Sequence, residues 1–91
     1  MDLEFHCDKM PVGRLMNVED YPTRANRYRY MPYRGPGHLR MQETCRTLGQ
    51  AHCVYVGPAG EVEFVVKLTR DQGVIETEQF RPVSRTGDPE P

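Results

Sequence analysis

Apolar bulk is what this sequence has least of. Leu, Ile, Val and Phe together make 18 of its 91 residues, with one isoleucine and no tryptophan. That share lies near the one-fifth level below which strongly charged chains stay unfolded, but a net charge of −1 supplies no self-repulsion to drive unfolding. A folded chain with a thin core and modest stability is expected, with a partner or self-association adding to it. No apolar stretch approaches the roughly 20 residues of a membrane-crossing helix, so no membrane partner is expected.

Other absences narrow the function classes. There are three cysteines, Cys7, Cys45 and Cys53, too few and odd in number for a disulfide scaffold. They are expected to be reduced, buried and inert. The first residues, Met1-Asp2-Leu3-Glu4-Phe5, alternate acidic and apolar instead of pairing a basic start with an apolar stretch. Together with the cysteine count this gives the expectation of a cytoplasmic protein. The single serine is Ser84, and no Gly-x-Ser-x-Gly elbow exists. Gly35-Pro36-Gly37 has neither the lysine nor the length of a phosphate-binding loop. Glu61 with Glu63 and Glu76 with Glu78 put carboxylate pairs on strand faces, as most solvated strands do. A catalytic site therefore finds little support.

Metal ligation would draw on His6, Cys7, His38, Cys45, His52 and Cys53. Neighbours on a strand point to opposite faces, so neither His-Cys dipeptide readily holds one ion, and no Cys-x-x-Cys is present. No metal and no cofactor are expected.

What is present is a set of period-2 segments. Residues 2 to 8 alternate, with Leu3, Phe5 and Cys7 on one face. Residues 27 to 31 alternate arginine with tyrosine before Pro32. Residues 53 to 56 and 61 to 68 read as a β-hairpin around Gly57-Pro58-Ala59-Gly60, and residues 74 to 80 as a third strand of the meander. In residues 61 to 68, Val62, Phe64, Val66 and Leu68 form the strongest apolar stripe, and Val65 is expected to face water with Glu61, Glu63 and Lys67. Residues 9 to 26 keep no period and read mainly as a loop lying over the core edge.

Residues 38 to 48 fit two readings. Leu39, Met41 and Cys45 share a face of a strand, while Met41, Cys45 and Leu48 fall at helical spacing with Gly49 at a C-cap position. The strand is preferred because no Ser, Thr, Asp or Asn stands where an N-cap belongs.

The expected fold is mainly β: a small antiparallel sheet or partly closed barrel of five to six strands. Its alternative is an α+β domain with a helix at 38–48 on a three-stranded meander. Residues 1–83 are expected to form one small domain and 84–91 a disordered tail. The expected core is Leu3, Phe5, Tyr28, Tyr30, Leu39, Met41, Val54, Val56, Val62, Phe64, Val66, Leu68 and Ile75, with the inward set on 53–56 (Val54/Val56 or Cys53/Tyr55) left open.

The most suggestive feature is basic and aromatic. Between Tyr21 and Gln42 lie Arg24, Arg27, Arg29, Arg34 and Arg40, interleaved with Tyr28, Tyr30 and Tyr33, and no acid. Guanidiniums on phosphates with rings stacked on bases is how single-stranded nucleic acid is held. On a strand, however, alternation sends Arg27 and Arg29 to one side and Tyr28 and Tyr30 to the other. The competing expectation is that the tyrosines pack and the arginines pair with some of the seven acids from Glu61 onward. Candidate binding residues are Arg24, Arg27, Arg29, Tyr33, Arg34, His38 and Arg40. The favoured function is a small non-catalytic binding module acting through protein–protein contacts or self-association, including a homodimer. The alternative is a nucleic-acid-binding protein using 24–40.

Overall fold

The computed structural model describes residues 1–83, and the expected disorder of 84–91 lies outside them. Among these described residues six strands and one helix follow in the order β1 (Leu3–Cys7), β2 (Met10–Leu15), β3 (Asn26–Pro32), α1 (Pro36–Leu48), β4 (Ala51–Gly57), β5 (Gly60–Leu68) and β6 (Val74–Pro82). All pairings are antiparallel, and the sheet order β1-β2-β3-β6-β5-β4 returns to β1, closing a ring. The mainly β expectation holds.

Inward residues alternate along the strands: Leu3, Phe5 and Cys7 on β1, Ala51, Cys53 and Tyr55 on β4, Ile75 and Thr77 on β6. Phe5 contacts Tyr30 and Phe64 at ring separations of 6.2 and 5.9 Å, and Tyr55 contacts Phe64 at 5.9 Å. Full burial of each such side chain contributes on the order of 2 kcal/mol. Thr77, the one buried polar residue among the described residues, donates its hydroxyl to the Asn26 carbonyl at 2.9 Å. Among the described residues, no buried side-chain nitrogen or oxygen is left without a partner.

Several expectations are corrected. Residues 38 to 48 are helical, not a strand. Gly35 occupies the N-cap position without a side-chain hydrogen bond, and Pro36 begins the helix, its fixed φ suited to the first turn. Gly49 ends it at φ 84°, its N–H bonded to the Cys45 carbonyl. The helix packs against β1, β2, β4 and β5, and its buried side is the narrow stripe Gly37, Met41 and Cys45.

Within 9 to 26, Met10–Leu15 is a strand. The β1–β2 register slips between Phe5 and His6, so that Phe5 faces Gly13 while His6 faces Pro11, leaving Val12 extra. That bulge buries Val12 and Gly13 side by side and erases the period-2 signal. The rest of the segment does lie over the core: Val18 and Pro22 are buried, Tyr21 stacks on Tyr55 at 5.9 Å, and the Tyr55 hydroxyl donates to the Pro22 carbonyl at 2.8 Å.

Four expected core positions on three elements behave differently. Leu39 is 64% exposed on the outer side of α1, and Val56 is 59% exposed because β4 turns Cys53 and Tyr55 inward. Val54 is half-buried, and Leu68, ending β5, is 38% exposed. Val65, expected in water, is buried; the ion pairs Lys67–Glu78 at 2.7 Å and Arg81–Glu63 flank it on the outer face.

Candidate functional site

Alternation along β3 separates charge from ring. Arg27 and Arg29 are exposed, Tyr28 is half-buried against the core, and Tyr30 is buried. Tyr30 therefore offers no face for stacking on a base. Its hydroxyl lies 3.1 Å from His38 Nε2 on α1, and desolvation raises the Tyr30 pKa and lowers that of His38. His38 thus joins helix to sheet.

Tyr33 is held elsewhere. Its hydroxyl donates to Glu4 Oε1 at 2.8 Å and accepts from Arg14 Nε at 2.8 Å, with the Arg14 guanidinium 5.6 Å from the ring centre. Hydrogen bonding to Tyr33 raises the Arg14 pKa further. This exposed network stitches the β3–α1 connection to β1 and β2. Arg40, on α1, pairs with Asp8 of the β1–β2 turn at 3.3 Å. Arg34 is exposed in the β3–α1 connection.

Three candidates do converge. Arg24, Arg27 and Arg29 line an open groove of about 560 Å³ between the β2–β3 connection and β3, together with Tyr21, Tyr28, Glu19 and Asp20. Arg27 is partly engaged by Glu76, its cross-strand partner, at 3.8 Å. Arg24 and Arg29 enter no ion pair among the described residues. The pairing of arginines with late acids is thus seen for Arg27, whereas Arg40 finds Asp8 instead.

Sequence reasoning missed the groove's other wall. Glu19, Asp20 and Tyr21 sit in the segment read as a plain loop, and the Tyr21 N–H is held by Asp20 Oδ1 at 2.8 Å. The clustering of aromatic and acidic residues just before an arginine-rich strand was the available signal. Chemically the groove offers guanidinium donors, two aromatic faces and two carboxylates, a mixed polar surface open along its length.

The thiols of Cys7, Cys45 and Cys53 are all buried and unbridged, with Cys45 on the helix. Among the described residues no three His, Cys, Asp or Glu side chains converge on a point fit for a metal ion, and no helix is long and apolar enough to cross a membrane. No protein-family model, curated protein or solved structure matches this chain.

Proposed function

We propose that the protein is a non-catalytic binding module that takes a polypeptide segment bearing carboxylates in the groove beside β3. The observation that carries this reading is the convergence of Arg24, Arg27 and Arg29 with Tyr21 and Tyr28 on one open groove. Arginine and tyrosine are the residue types that interfaces favour, because each combines a broad contact area with directional donors. A guanidinium pairs with a carboxylate through two parallel hydrogen bonds. Against the nucleic-acid reading stands the burial of Tyr30 and the engagement of Tyr33 by Glu4 and Arg14.

The test compares wild-type protein with the Arg24→Ala/Arg29→Ala variant, which removes two guanidiniums that hold no ion pair among the described residues. Binding of a fluorescent oligo-glutamate peptide and of a single-stranded oligonucleotide is titrated at low and physiological salt. The expected result is retained peptide binding at physiological salt that the double variant weakens at least tenfold with an unchanged melting temperature. Submicromolar oligonucleotide binding with a steep salt slope, lost in a folded Tyr28→Ala variant, would transfer the function to nucleic acid. Binding of neither probe would remove the groove from consideration.

A further inference from the structure

The cysteines take no part in the groove, and strand register sets their placement. β1 and β4 close the ring through two residue pairs, Phe5 with Tyr55 and His6 with Val54, against seven between β4 and β5. One further step in the same register sets Cys7 opposite Cys53, and both point inward like Phe5 and Tyr55. Cys7 is 4% and Cys53 0% exposed, so the two side chains share the same dry interior. Residues directly opposed on antiparallel strands have Cα atoms about 4.5–5.5 Å apart, inside the roughly 4.4–6.8 Å that a disulfide bridges. Bond formation therefore asks for little backbone movement.

We propose that Cys7 and Cys53 form a peroxide-oxidised pair whose disulfide staples the β1–β4 seam of the ring. The two thiols are unequal. Hydrogen bonding from Cys53 holds the Cys7 thiol below its ordinary value, against burial and the Asp8 carboxylate, while the same contact and burial push Cys53 up. Cys7 adjoins the exposed β1–β2 turn and is the thiol an entering oxidant meets first, which makes it the nucleophile; Cys53, fully buried behind it, is the resolving thiol.

The Cys7 thiolate attacks one oxygen of a hydroperoxide. An S–O bond forms, the O–O bond breaks, and the departing oxygen takes up a proton, as water when the oxidant is hydrogen peroxide. The Cys53 sulfur then attacks the Cys7 sulfur; the S–S bond forms, the S–O bond breaks, and a second water leaves with the Cys53 proton. Two thiols and one hydrogen peroxide become one disulfide and two waters, the two electrons passing from sulfur to oxygen. Entry lies at the exposed β1–β2 turn next to Cys7, where Asp8 and Lys9 both hold left-handed backbone (φ 51° and 64°) and opening is least costly. Cys45 stays outside the pair: its thiol contacts the Val66 carbonyl at 3.5 Å and Met41 Sδ at 3.7 Å, and burial pushes it up.

The full chain is treated with stoichiometric hydrogen peroxide, blocked with iodoacetamide in denaturant and mapped by mass spectrometry. The expected product has lost the mass of two hydrogens, carries one alkylated thiol in place of three, and yields a linked Cys7–Cys53 peptide that reductant removes. Its melting temperature rises by roughly 10 °C, a typical return for a natural-geometry disulfide in a domain of this size. Cys45→Ser reproduces the product, while Cys53→Ser leaves an over-oxidised Cys7. A disulfide that includes Cys45, a disulfide between chains, or oxidation of Cys7 without any linked peptide overturns the proposal. Because the peptide map is read on the wild-type chain, it holds whether or not the variants fold.

Discussion

Asp8 and Lys9 occupy the two central positions of the tight turn between Cys7 and Met10, both with positive φ. This conformation costs a residue with a Cβ about 1–2 kcal/mol, and Asp-Gly is the pairing such turns prefer. Lys9→Gly relieves one of the two strained positions, partly offset by the greater freedom of glycine in the unfolded chain. A net stabilisation of about 0.5–1 kcal/mol is expected in urea unfolding; a lower midpoint would show that Lys9 makes a contact of its own. His38 sets a pH response at the same scale. Desolvation holds its folded pKa below the unfolded value, so between the two the unfolded chain binds more protons. The His38 contribution is complete above about pH 6.5 and is lost as pH falls towards the folded value. Melting curves across that range should show a smaller acid-side loss for His38→Gln than for wild type, and identical profiles would refute the assignment.

The helix shows how an element can be placed by one close approach. Gly37 packs its backbone onto β2, and a Cβ there would stand 2.1 Å from the Pro11 carbonyl oxygen and 2.7 Å from its carbon. Neither atom belongs to a flexible side chain, so α1 would have to lift and Met41 would lose its fully buried site. Propensity alone would make Gly37→Ala favourable by about 1 kcal/mol. The steric term has the opposite sign and is larger, on the order of 2–4 kcal/mol, so a net loss of stability is expected in thermal or urea unfolding. A stabilised Gly37→Ala protein would mean that α1 is not seated as described. The same helix explains why residues 38 to 48 misled as sequence. Met41 and Cys45 are four apart, a spacing that keeps two residues on one side of a strand and of a helix alike. The missing N-cap side chain argued against a helix, but Pro36 after Gly35 starts one without it.

At the scale of the whole molecule, the sequence by itself determined that the chain is mainly β. Alternation in β1, β3 and β4 needs only the local geometry of an extended chain, and it also showed that Arg27 and Arg29 part from Tyr30. Closure of the ring decided the rest. It chose Cys53 and Tyr55 over Val54 and Val56 as the inward set, because β4 must present Tyr55 beside Phe5 at the seam. Register slips break the fixed period in two strands, and in β2 the slip hid the strand itself. One inserts Val12 into β2; the other puts an extra residue into β6 near Gln79, at φ 56°, and brings Phe80 onto Phe64 at 5.1 Å. Of the seven candidate binding residues, the sequence supplied chemistry but not grouping. Arg24, Arg27 and Arg29 share a groove because the β2–β3 connection folds back along β3, and Tyr33, Arg34, His38 and Arg40 leave it because the chain turns after Pro32 into a helix across other strands. Which side chains share a surface is fixed by contacts between residues far apart in the chain, and local patterning carries no record of those contacts.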